Sequence, residues 1–212
     1  HDTDYTFFSS IIQVDTDTYV LAHEGPNQDG YLTTFTISAD GSTITEVASL
    51  EHDTGKGTFH SLIKILDSDT YIVAYTGPGD DGYIATFTIS TDGSTITEVA
   101  SLDHENDHSY WPSLVHVDTD TYALAASGPL RDGYITTFTI STDGSTITEV
   151  ASLEHDTDNG EHHSFVQVDT DTYALAYSGT GDDGYITTFT ISADGSTITE
   201  VASLEHDTDN GT

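Results

Sequence analysis

Short apolar runs and polar turns alternate along this chain, and the alternation itself repeats. The last copy shows it most clearly. Ser164 to Val168 (SFVQV) is a short apolar run, and Asp169 to Thr172 (DTDT) reads as a turn. Tyr173 to Tyr177 (YALAY) predicts a second strand, closed by a Gly- and Asp-rich loop at 178–183. Tyr185 to Ile191 (YITTFTI) alternates with period two, as a half-buried strand does. An Asp-Gly hairpin at 192–195 follows, with glycine supplying the positive φ. Ser196 to Leu204 (STITEVASL) is a longer and more polar fourth strand. No segment carries a helical period over sufficient length, and Thr, Val, Ile, Tyr and Phe favour strands throughout.

The tyrosine of the second strand recurs as Tyr19, Tyr71, Tyr122 and Tyr173, at spacings of 52, 51 and 51 residues. Such a period marks stacked units that bury their faces against one another. Four antiparallel strands per unit, joined by short loops, predict an all-β fold: a β-propeller of four four-stranded blades. The predicted blades cover about 9–52, 60–104, 112–155 and 163–206, within a single domain. The short apolar first strand suits the axis and the polar fourth strand the rim. Residues 1–8 match the connector that follows a fourth strand, so closure is expected as a contact of blade four with blade one. The alternative is half of an eight-bladed ring, which leaves a monomer or a homodimer.

Charge adds a constraint that the pattern lacks. There are 37 acidic residues against Lys56, Lys64 and Arg131, for a formal net charge of −34. That surface repels nucleic acid and anionic lipid, attracts cations, and is self-repulsive until salt screens it. A saline setting and Ca²⁺ as a possible bound ion follow as expectations. Without cysteine there is no disulfide and no thiolate chemistry. No apolar run reaches the length of a membrane span. The chain begins at His1 without a visible signal peptide, so a processed or excised fragment is expected.

Strand alternation puts the loop between strands two and three on the same face as the connector to the next blade. The opposite face barely changes between copies, whereas this one diverges: GPNQDG, GPGDDG, GPLRDG and GTGDDG, then EHDTGKGTFHS, DHENDHSYWPS and EHDTDNGEHHS. Binding resides most often in such loops on a rigid scaffold. The candidate ligand-binding residues are Phe59, His60, His108, Tyr110, Trp111, Arg131, His162 and His163. Their aromatic rings suit stacking on a sugar. Asp29, Asp81, Asp132 and Asp183, each before Gly-Tyr, offer hard oxygens for Ca²⁺, against a simpler role in turns. His52, His104, His155 and His206 recur in every copy, with His1 as a spare, and are expected to cap their own strand ends. No catalytic residue is assigned: there is no Ser–His–Asp order, HExxH or phosphate loop.

The phrases DTYALAYSG, DGYITTFTIS and SLEHDT resemble the repeat units of extracellular β-propeller proteins of bacteria and archaea, over essentially the whole chain. The resemblance implies a secreted or cell-surface protein. Together with the divergent loops, it leads to the expectation of a non-enzymatic binding or adhesion module for a glycan or cell-surface ligand. A structural spacer of a larger surface protein and a polysaccharide-active enzyme are the alternatives.

Overall fold

The computed structural model of the chain describes residues 9–105 and 108–207. Its strands form four antiparallel sheets of four, each in simple meander order. Blade one holds β1 (Ser10–Gln13), β2 (Thr18–Glu24), β3 (Gly30–Ile37) and β4 (Ile44–Asp53). Blade two holds β5 (Thr58–Lys64), β6 (Thr70–Thr76), β7 (Gly82–Ile89) and β8 (Ile96–Glu105). Blade three holds β9 (Ser113–Asp118), β10 (Thr121–Ser127), β11 (Gly133–Ile140) and β12 (Ile147–Asp156). Blade four holds β13 (Glu161–Asp169), β14 (Thr172–Ser178), β15 (Gly184–Ile191) and β16 (Ile198–Asp207). The spare connector at 1–8, His1 and the last five residues lie outside the described residues.

Period two along β2, β6, β10 and β14 sends large side chains to one face and small ones to the other. Tyr71, Tyr122 and Tyr173 sit opposite Phe87, Phe138 and Phe189 in register. All six are buried against the preceding blade. The facing surface is made of smaller residues. Val14, Val20, Ala22 and Leu32 of blade one pack on Tyr71, Val73 and Phe87 of blade two. Ile72, Ala74 and Ile84 meet Tyr122 and Phe138 in the same way, and Ala123, Ala125 and Ile135 meet Tyr173 and Phe189. Each side chain fully buried there contributes about 1.5–3 kcal/mol.

Two polar contacts recur at all three junctions. At the inner strand, Leu62 N–H donates to Ser10 Oγ (3.2 Å), Leu114 N–H to Ser61 Oγ (3.0 Å), and Phe165 N–H to Ser113 Oγ (3.0 Å). Farther out, the Thr34, Thr86 and Thr137 hydroxyls donate to the carbonyls of Gly93, Gly144 and Gly195, each at 2.7 Å. These glycines have φ near +70° in their Asp-Gly hairpins, the conformation the sequence predicts.

The arc is open. Among the described residues no hydrophobic cluster joins blade four to blade one, so the expected closure of four blades on themselves does not occur. Neighbouring sheets touch at the inner strands and again at the outer ones, β4 on β8 and β12 on β16. On the outer face of blade four Val168 and Ile186 are 63% and 42% exposed, where Val14 and Ile84 of earlier blades are buried.

Candidate functional site

The connector and the loop between strands two and three share one face, held by backbone bonds between them. Gly57 N–H donates to the Gln28 carbonyl (2.7 Å), Ser109 N–H to Asp80 (2.8 Å), and Gly160 N–H to Arg131 (2.7 Å). Asp53 and Asp156 fold the start of their connectors: Oδ1 of Asp53 accepts N–H from Gly55 and Lys56, and Oδ1 of Asp156 from Asp158 and Asn159. These aspartates, one residue after His52 and His155, do the local capping expected of the histidines.

The histidines point instead into the junctions. His52 lies edge-on to Tyr75 (4.7 Å between centroids) and Phe87 (5.8 Å) of the next blade. His155 repeats this against Tyr177 and Phe189 (4.6 and 6.0 Å). Each ring lies across the first residue of the third strand, which is why that residue is glycine. A Cβ on Gly30 would stand 2.5 Å from His52, and one on Gly133 would stand 2.4 Å from His155. Burial lowers His52, His104 and His155 to about 4, so all three are neutral near pH 7.

Beyond the connector the inner strand bulges. The β5–β6 register shifts between Thr58 and Ser61, and the β13–β14 register between Glu161 and Ser164. A bulge re-aims its side chains, and these two carry Phe59, His60, His162 and His163. Phe59, Trp111 and His162 occupy the same place in blades two to four, at φ of +53°, +51° and +55°. Left-handed backbone at bulky residues costs about 1–2 kcal/mol each. All the described left-handed non-glycine residues except Asp67 belong to this face.

The four inner strands bring these residues to one cavity of about 310 Å³ at the mouth of the arc, lined by Ser9, Phe59, His60, Trp111, Pro112, His162 and His163. The rings form a continuous wall. Phe59 meets Tyr110 (5.3 Å) and Trp111 (5.4 Å), Tyr110 meets Trp111 (5.5 Å), and Trp111 meets His162 (4.6 Å). His108 stands behind, 6.0 Å from Tyr110. The indole Nε1 of Trp111 is buried without a hydrogen-bond partner among the described residues. His60 Nε2 lies 3.2 Å from His52 Nε2, so one ring donates to the other. Burial first, and the neighbouring histidines second, hold His60 well below its ordinary pKa and lower His163 to about 3.

Seven of the eight candidate ligand-binding residues therefore belong to one cluster. Arg131 does not: its side chain is 67% exposed and pairs with Glu161 at 3.2 Å. Lys56, noted from the sequence as a rare cation on the divergent face, binds Asp80 and lies over the Tyr110 ring (5.4 Å). The carboxylates considered for Ca²⁺ end four separate 3-10 turns. The backbone carbonyls of Asp29, Asp81, Asp132 and Asp183 accept N–H from Gly25, Gly77, Gly128 and Gly179, all at 2.8 Å. Among the described residues no three His, Asp or Glu side chains gather as a metal site would require.

Residues 69–212 match the family described as lactonase, seven-bladed β-propeller. No curated protein matches the sequence. Among solved structures, the periplasmic gluconolactonase of Pseudomonas aeruginosa aligns at 13% identity with a TM-score of 0.68, over 89% of this chain and 54% of its own. A Bacteroides fragilis protein described as a candidate 6-phosphogluconolactonase aligns at 12% identity and 0.62, over 93% of this chain and 67% of its own. The Sqt1 protein of Chaetomium thermophilum aligns at 16% and 0.62, over 96% and 50%. The chain thus spans about half the length of two of these structures. At such identities the structures share a fold. The propeller expected from the repeats is shown, but the resemblance to extracellular repeat proteins is replaced by a lactonase family. That family match overturns the expectation of a non-enzymatic binding or adhesion module.

Proposed function

Because the chain belongs to the seven-bladed β-propeller lactonase family, we propose that the cavity at the mouth of the arc binds a neutral cyclic ester of a sugar and hydrolyses it. The observation that carries this reading is Trp111: an unpartnered buried indole N–H on the wall of a cavity whose buried histidines are uncharged. The aromatic wall stacks on the apolar face of the sugar ring. The indole N–H donates to the carbonyl oxygen as it gains negative charge. His162, in contact with Trp111, takes a proton from the attacking water. Water oxygen bonds to the carbonyl carbon, the ring C–O bond breaks, and the leaving alkoxide takes up the proton. The product is a hydroxy acid.

Charge argues for a neutral substrate. Lys56 and Arg131 are each engaged by a carboxylate, so a phosphate on the substrate meets no free cation there. The field of a −34 chain then expels the anionic product. The same charge supports a saline, secreted setting as part of this proposal.

The test is pH-stat hydrolysis of glucono-δ-lactone and related neutral lactones. We expect turnover above the uncatalysed rate. Loss of one oxyanion donor in Trp111→Phe should lower kcat by about 10²-fold, and His162→Gln by about 10²–10⁴-fold. Folded protein that leaves every neutral lactone at its spontaneous rate would overturn the reading. So would a clear preference for phosphorylated lactones.

A further inference from the structure

Among the described residues, two of the three blade junctions enclose a pair of histidines that face each other. Between blades one and two the pair is His52 and His60. Their Nε2 atoms stand 3.2 Å apart, with ring centroids at 5.3 Å and planes at 90°. Between blades three and four His155 and His163 repeat the arrangement, at 5.4 Å and 89°. Tyr75 and Tyr177 lie against the pairs. Each is edge-on to the first histidine (4.7 and 4.6 Å) and stacked on the second (5.9 and 6.1 Å).

The second histidine and the tyrosine come and go together. At the junction of blades two and three the same positions hold His104, Pro112 and Ala126. A small cavity lined by His104 and Ala126 lies there. A junction therefore forms with one histidine and no tyrosine, so blade packing does not by itself require the pair.

The ring nitrogens are short of partners. Nδ1 of His52 and His60, and Nε2 of His155 and His163, are buried with no hydrogen bond among the described residues. Burial keeps all four rings neutral near pH 7, so each holds a free lone pair. Two nitrogens at about 2.0–2.1 Å from one tetrahedral zinc ion stand about 3.3–3.4 Å apart. The His52–His60 separation of 3.2 Å is close to that. Imidazole suits zinc, whereas Ca²⁺ and Mg²⁺ take oxygen ligands. Compensating charge is at hand. Asp53, next to His52, accepts the Tyr75 hydroxyl (3.2 Å), and Asp156 stands next to His155.

We propose that each His–His–Tyr set is a zinc site, one between blades one and two and the other between blades three and four. The Nε2 proton shared by His52 and His60 moves to Nδ1 as the ion enters, so neither ring loses a proton. No third His, Asp or Glu completes a cage among the described residues. His60 and His163 line the cavity at the mouth of the arc, so water or a ligand there fills the remaining positions. An ion held in this open way exchanges readily.

The proposal does not rest on lactone hydrolysis, and its test needs no substrate. The chain, free of any histidine tag, is dialysed against zinc chloride in about 1 M NaCl, where a Debye length of about 3 Å suppresses loose binding to the acidic surface. Two zinc ions per chain are expected. His60→Phe and His163→Phe keep a ring against the tyrosine and delete the nitrogens. Each should bind one ion, and the double variant none. Pro112→His with Ala126→Tyr should bind three. Circular dichroism checks that every variant is folded. A folded unaltered chain that takes up no zinc overturns the proposal. So does uptake that the double variant retains in full, or a folded Pro112→His, Ala126→Tyr chain that gains no site.

Discussion

Ile84, Ile135 and Ile186 occupy one position in successive blades, and only their neighbours differ. Ile84 and Ile135 are fully buried between sheets, whereas Ile186 on the outer face of blade four is 42% exposed. Truncation to alanine removes three carbons. At a buried site the lost transfer energy plus the cavity left behind comes to about 2–5 kcal/mol. At Ile186 no cavity forms, and part of the side chain is already in water. The cost there should be under about 1.5 kcal/mol. For a chain of this length about 1 kcal/mol moves Tm by roughly 2–4 °C. Ile84→Ala and Ile135→Ala should therefore lower Tm by about 4–20 °C, and Ile186→Ala by no more than about 6 °C. The three variants are compared in dilute protein by urea and thermal unfolding. Trp111 fluorescence is followed together with circular dichroism, since a repeat arc can melt from one end. Equal losses at all three positions in dilute protein would refute the open arc.

Two further outcomes follow from the junction histidines. Gly133→Ala drives a methyl into the His155 ring, which Tyr177 and Phe189 hold in place, and should cost about 1–3 kcal/mol. Adding His155→Ala should recover much of that loss in urea midpoint, and no recovery would show that the steric reading is wrong. For pH, His52, His104, His155 and His163 have folded pKa values of about 3 to 4, below the unfolded value near 6.5. The unfolded chain binds more protons in that window, so stability present above about pH 6.5 falls as pH drops toward 4. Relief of carboxylate repulsion acts in the opposite direction but begins only near pH 4–4.5. His155→Gln should flatten the decline between pH 6.5 and 4.5, and an unchanged slope would discount these rings.

The fold was legible because its information is repeated four times. One period, one Asp-Gly hairpin and one recurring tyrosine sufficed, and the divergence of the connectors picked out the face that carries the aromatic cavity. Openness was not legible, since the face of Ile186 carries the same residue types as that of Ile84 whether or not a blade covers it. Nor was the meaning of Gly133 before Tyr134. An Asp-Gly pair reads as a turn, and only coordinates place His155, some twenty residues on, across the missing Cβ. Phe59, Trp111 and His162 were found as unusual side chains, but nothing in the sequence signalled their left-handed backbone. Arg131 stood out by charge in a chain with few cations. Its pairing with Glu161 depends on a connector folding back beside its loop. The proposed hydrolysis leaves no motif to read, because the groups assigned to it, Trp111 and His162, come from the same position in different units.

The repeated serine and threonine contacts make each blade an interchangeable cassette. Any unit can follow any other, because the donor and acceptor it presents to its neighbours are the same. The rim, by contrast, is a four-letter word spelled by Ser9, His60, Pro112 and His163, one letter per cassette. Shuffling the order of the units, or duplicating one of them, would rewrite that word while leaving the grammar of assembly intact. In such a molecule new specificity arises by recombination of whole units, without waiting for point mutations that the core must tolerate.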